Sequence, residues 1–211
     1  MLHWLSMKQG RLMMLVAFIA VASPLHATNI VTNSSFNGSL AGWFLGTGTT
    51  FDATADATGM PGSGSARSAT SLAGNTIAIT QCIAAVPGNY TLSGKILIPG
   101  GQTTNGSGTI GVTWFGGSNC SSGPVLGFNT ATVTTTGSFV SVSTASIAPP
   151  GTTFAFVNGQ HLSVSSGTHI VNFDDIILDD GTPSNIPALE PLALAALTLM
   201  LAALGILILR R

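Results

Sequence analysis

Between Asn29 and Asp180 apolar residues recur with a period of two in short runs closed by glycine and proline, and no long stretch carries helical spacing. Tyr90, Leu92, Gly94, Ile96 and Ile98 share one parity, as do Ile110, Val112 and Trp114, and as do Phe154 and Phe156. Successive side chains of a strand point to opposite faces, so such runs read as strands with one face buried. The clearest are Thr76–Ile83, Tyr90–Ile98, Thr109–Phe115, Phe139–Ile147, Thr153–Val157 and His169–Leu178. Pro87-Gly88, Pro99-Gly100-Gly101 and Pro149-Pro150-Gly151 supply turns between them. Many short strands with such turns predict an all-β fold, a β-sandwich of two antiparallel sheets.

Charge narrows the function. Asp, Glu, Lys and Arg make up 6% of the chain, against about 25% in an average soluble protein. From 28 to 180 the cations are Arg67 and Lys95, and the acids are Asp52, Asp56, Asp174, Asp175, Asp179 and Asp180. Phosphate recognition needs clustered Lys and Arg, so nucleic acid is excluded as a partner.

Both ends differ from the middle. Lys8 and Arg11 precede the apolar run Leu12 to Ala22, Pro24 breaks it, and Ala27 and Thr28 flank a cleavage site. Residues 1–27 therefore read as an export signal, or else as an uncleaved anchor. Residues 28–180 form the predicted β-sandwich domain and 181–185 a linker. The run 192–209 is apolar and ends at Arg210 and Arg211. It is near the roughly 20 residues a membrane helix needs, and the arginines would stay cytoplasmic. Both ends thus predict export across the inner membrane, with membrane anchoring by the tail.

An oxidising compartment favours pairing of Cys82 with Cys120, the alternative being two free thiols. The bridge would close a loop of nearly forty residues, worth roughly 3–4 kcal/mol in the chain-entropy account.

The tail reads Ile186-Pro187-Ala188-Leu189-Glu190-Pro191, then the apolar run, then Arg210-Arg211. This layout resembles the IPTL-CTERM type of sorting domain, a relative of the PEP-CTERM tails. The resemblance covers 186–211 and implies an exosortase-type processing protease as partner, followed by display at the cell surface or release outside. A plain, uncleaved membrane anchor is the alternative.

A second resemblance spans the middle. Asn33-Ser34-Ser35-Phe36-Asn37 followed by Leu40-Ala41-Gly42-Trp43 is similar to the opening of carbohydrate-binding-module-like, galactose-binding-type jelly rolls. Gly64-Ser65-Ala66-Arg67, Gln81-Cys82-Ile83, Pro87-Gly88-Asn89-Tyr90, Ala148 to Thr152 and Phe173-Asp174-Asp175-Ile176 continue the likeness in order. It implies a jelly-roll sandwich. It also implies a structural calcium site, with Asp174 and Asp175 from the closing strand and Asn37 where relatives place Glu. Calcium requires six to eight oxygens; solvated or turn-capping aspartates are the alternative.

Trp43 and Trp114 read as packing residues. Phe44 and Phe115, on the opposite parities, are the aromatics left to meet a ligand. No catalytic set emerges: His161 and His169 read as surface residues, no G-x-S-x-G elbow occurs, and 28–180 contains no Glu. Two functional readings follow. The first is a non-catalytic surface or matrix protein sorted through its tail; the second is a binding module for an envelope or extracellular polysaccharide. A sheet face carrying exposed aromatics favours the second, and a Thr/Ser/Gly face without aromatics the first.

Overall fold

The computed structural model describes residues 27–183. The export and sorting segments (Ile186, Pro187, Ala188, Leu189, Arg210 and Arg211 among them) lie outside the described residues. No helix of the described residues is long and apolar enough to cross a membrane.

Eleven strands occur in this stretch: β1 (Ala27–Asn29), β2 (Phe44–Leu45), β3 (Thr49–Asp52), β4 (Ser65–Thr70), β5 (Gly74–Ala84), β6 (Gly88–Leu97), β7 (Gly106–Phe115), β8 (Val125–Val133), β9 (Val140–Ala148), β10 (Phe154–Ser163) and β11 (His169–Pro183). One sheet runs β3-β4-β11-β6-β9, with β1 also on β11; the other runs β2-β5-β10-β7-β8. Every strand pair between them is antiparallel. This is the two-sheet sandwich of a jelly roll. The proposed cleavage pair Ala27 and Thr28 sits in β1, where Ala27 pairs with Pro183.

The period-two runs face the interior. Tyr90, Leu92, Ile96 and Ile98 of one sheet meet Ile110, Val112 and Trp114 of the other, all buried. Each such aliphatic side chain contributes about 1.5–3 kcal/mol relative to exposure. Trp43 is buried against Phe36, with ring centroids 5.6 Å apart. Trp114 packs 4.8 Å from Tyr90, and its Nε1–H donates to Ser146 Oγ at 3.0 Å, so the indole is satisfied in the dry interior.

Four register shifts interrupt the ladders, and two of them bear on the faces described below. β10 shifts register against β5 between Gly159 and Gln160, and β11 shifts against β6 between Asp174 and Ile177. Asp175 occupies the second break with φ of 51°. An extra residue of this kind re-aims side chains across a sheet.

Candidate functional site

The outer face of the β2-β5-β10-β7-β8 sheet gathers side chains from all five strands. Strand register places Phe44, Thr80, Asn158, Gly111 and Thr130 in one row across it. The neighbouring row is Cys82, Phe156, Thr113 and Phe128, and the next is Ala84, Phe154, Phe115 and Val125. On the other side lie Ile77, Gln160, Thr109 and Thr132. Four inter-strand gaps separate β2 from β8, about 19 Å at the usual spacing of ~4.8 Å.

The relief of this face follows from side-chain size. Phe44 and Phe128, on the two edge strands, are 75% and 71% exposed, whereas Asn158 at the centre is 4% exposed and Gly111 is buried. Along the row of Asn158 and Gly111 the small central residues lie low beside Phe44 at one edge, and Phe128 stands at the other edge in the adjoining row. This part of the face is a trough with aromatic shoulders, closed toward one end by the half-buried Phe154, Phe156 and Phe115. Gly111 cannot be larger without shifting its neighbour, because a Cβ there would stand 3.1 Å from Asn158 Oδ1. Phe115 and Phe156 pack edge to face, centroids 6.4 Å apart, and remain half-buried toward one end.

The floor is polar and uncharged. Gln160 Nε2 donates to Asn158 Oδ1 at 3.0 Å, Asn75 Nδ2 donates to Gln160 Oε1 at 3.1 Å, and the Thr109 and Thr132 hydroxyls share a bond of 2.9 Å. These contacts fix the amide of Asn158 while leaving its Nδ2 donors without a partner among the described residues. No Asp, Glu, Lys, Arg or His stands in the four rows. Such a surface suits a neutral, hydroxyl-rich ligand that presents apolar faces to rings and hydroxyls to amides. It offers no pair of carboxylates for glycoside hydrolysis.

Of the two aromatics singled out from sequence, Phe44 forms one shoulder and Phe115 lines one end. Phe128 and Asn158 went unread. β8 carries little strand signal in its sequence because its inward parity, Gly127, Asn129, Ala131 and Val133, is only weakly apolar. Cys82 and Cys120 form a disulfide that spans 38 positions of sequence. Cys82 projects onto this same face, so the bridge fastens the β7–β8 loop at the margin of the trough.

The carboxylates of the closing strand lie on the opposite sheet, beneath the β3–β4 connection. Asp174 is fully buried; its Oδ2 accepts from Ala57 N at 2.8 Å and its Oδ1 from Asp175 N at 2.7 Å. Burial pushes its carboxyl up to about 6, and nearby Asp56 and Asp175 act in the same direction against those bonds. Asp175 accepts from Ser35 Oγ at 3.2 Å and pairs with Lys95 Nζ at 3.3 Å, while Lys95 also donates to Ala57 O at 3.4 Å. Asn37 is exposed, its backbone N–H donates to Asn33 Oδ1, and no hydrogen bond joins its side chain to either aspartate. No group of three or more His, Cys, Asp or Glu among the described residues is arranged for a metal ion. The carboxylate oxygens face N–H, O–H and ammonium donors instead of the ring of oxygens that calcium needs. Asn37, Asp174 and Asp175 therefore do not fit a calcium ion in this arrangement.

His161 and His169 depart from their reading as surface residues. Both are buried, with Ser68 Oγ 3.0 Å from His161 Nδ1 and His161 Nε2 2.7 Å from His169 Nδ1. Burial holds both imidazoles below the usual histidine value, and His161, with His169 beside it as well, falls to about 4.

No protein-family profile and no curated protein sequence matches the chain. Solved structures do. TmCBM61 in complex with β-1,4-galactotriose aligns with a TM-score of 0.52 at 14% identity, over 73% of this chain and 99% of that one. The CBM22-1 xylan-binding domain of Paenibacillus barcinonensis Xyn10C aligns with a TM-score of 0.53 at 12% identity, over 76% and 99%. The enzymatically active domain of bacteriophage CBA120 tailspike protein 4 aligns with a TM-score of 0.55 at 15% identity, over 72% of this chain but 21% of that one. At these identities the likeness is one of fold: the described residues share the jelly-roll architecture of carbohydrate-binding modules.

Proposed function

We propose that this chain is a non-catalytic carbohydrate-binding module whose ligand is a neutral polysaccharide, bound along the trough of the β2-β5-β10-β7-β8 sheet. The observation that carries this reading is the pairing of Phe44 and Phe128 across a charge-free floor centred on Asn158. The fold likeness to a module in complex with β-1,4-galactotriose and to a xylan-binding domain supports it. It reverses the order of the two sequence readings. The outer face of the other sheet, with Ser93, Ser141, Ser143 and Ala145, is the Thr/Ser type expected of a module without a ligand, but the aromatic face is present as well.

Export and sorting complete the proposal on sequence grounds alone. A signal cleaved between Ala27 and Thr28 and an exosortase-processed tail from Ile186 would carry the module to the cell surface or beyond. Intact mass of the mature protein in each cell fraction tests this; a species still ending at Arg211 would leave the tail a plain anchor.

Binding is tested by affinity electrophoresis of the solubilised full-length chain through gels containing xylan, β-1,4-galactan or a polyuronate. Retardation by a neutral polymer and none by the polyuronate is expected. Free migration in every gel, with the fold intact by circular dichroism, would overturn the proposal.

A further inference from the structure

A pocket of about 490 Å³ opens at the end of the sandwich where β6 passes to β7 and β10 to β11. Its volume lies within the ~300–1,000 Å³ of small-molecule sites. It is separate from the trough: none of its lining residues stands in the four rows described above. Its wall is braced from behind. Gln102 spends its whole amide on the backbone of Ile170, accepting from its N at 2.9 Å and donating to its O at 2.7 Å. Thr104 Oγ1 bonds Ser165 Oγ at 2.6 Å and accepts from Ser165 N at 3.2 Å.

His169 lines this pocket although it is 1% exposed. Its Nδ1 is occupied by His161. Its Nε2 has no hydrogen-bond partner among the described residues, yet no buried side-chain nitrogen or oxygen there is left unsatisfied. Nε2 is therefore the atom through which an otherwise enclosed ring meets the pocket. The opening depends on Gly106, where a Cβ would come within 2.5 Å of His169 Cε1 and 2.7 Å of Nε2.

The hydrogen-bond chain behind the ring determines what Nε2 offers. If Ser68 donates to His161, then His161 Nε2–H donates to His169 Nδ1 and His169 presents an N–H to the pocket. If the chain reverses, His169 Nδ1–H donates inward and Nε2 presents a lone pair. Both arrangements are neutral and satisfy every buried partner. A hydroxyl, which donates and accepts, complements either one. Asn105, Thr134 and Thr136 add side-chain polar groups that bond to no other described residue, and Ile98 and Val164 add apolar surface. No charged side chain lines the pocket, and His169 is the one residue there with a nitrogen ligand suited to zinc.

We propose that this pocket is a second binding site, for one small neutral polyol such as a single sugar ring or chain end, read by His169 Nε2. The proposal does not depend on the trough.

The test is a ¹H–¹⁵N ring-correlation titration of the histidines in the full-length chain. Probes are D-galactose, D-xylose, L-arabinose and glycerol, with zinc ion as a separate arm. At least one polyol should move the His169 Nε2 resonance saturably. The exposed-wall variants Asn105→Leu and Thr136→Trp should weaken that response by about tenfold or more, while Phe44→Ala leaves it unchanged. No polyol response in the folded chain, or one that survives both wall variants, would overturn the assignment, as would zinc in place of any polyol.

Discussion

His161 Nε2 stands 2.7 Å from His169 Nδ1 with both rings enclosed between the sheets, so the pair is stable only while it carries no net charge. An imidazole in the unfolded chain takes up its proton near the ordinary histidine value of 6.5, whereas native His161 does so near 4. Stability from this group is thus complete above pH 6.5 and is lost as pH falls toward 4, by about 3 kcal/mol for His161. Asp174 acts in the opposite sense. Its carboxyl is raised from 3.8 to about 6, so its contribution is complete below 3.8 and is lost as pH rises through 6. Denaturant unfolding from pH 7 to pH 4 should show a shallow net decline, with His169, also lowered, adding to the loss. Removing the titrating group with His161→Gln should flatten or invert that slope; an unchanged slope would mean the ring is protonated in the native chain.

The Cys82–Cys120 bridge closes a 38-position loop, worth about 4 kcal/mol in the chain-entropy account. A Cys82→Ser, Cys120→Ser double variant should unfold at lower denaturant and with a steeper slope, because the uncrosslinked unfolded chain exposes more surface. Equal midpoints with and without reductant for the wild type would show that the loop is held by other contacts.

In the trough, Phe44→Ala and Phe128→Ala should each weaken binding to a retarding polysaccharide by about tenfold, ~1.4 kcal/mol. Both rings are largely exposed, so thermal midpoints should stay near wild type. Asn158→Ala should weaken binding too, and at some cost in stability, because Gln160 loses its acceptor. Calorimetry on the same variants separates the two effects.

Lys95 stands beside Asp175 and Ala57 O where a cation is wanted, so chelation by EDTA should leave the unfolding midpoint unchanged. Lys95→Met removes a partly exposed pair, worth about 1 kcal/mol or less. A large stabilisation of the wild type by added calcium would show that the carboxylates rearrange around a metal.

What the sequence determined is what local alternation can encode. Ile110, Val112 and Trp114 had to share a face, as did Tyr90, Leu92 and Ile96, because side chains on a strand repeat every second residue. With two cysteines in the chain, the identity of the bridge followed once pairing was assumed, and the scarcity of charge already excluded phosphate-binding surfaces. Only the tertiary structure decided which outward residues became neighbours. Phe44, Asn158 and Phe128 are far apart in sequence and come to one face through the register of β2, β5, β10, β7 and β8. That register is fixed by pairing between distant strands and by bulges such as the one at Gly159 and Gln160, which no local pattern announces. The same holds for His161 and His169. Their Ser and Thr neighbours suggested solvent, but β10 and β11 lie in opposite sheets, and the packing of those sheets puts both rings in the interior, where each finds its hydrogen bond.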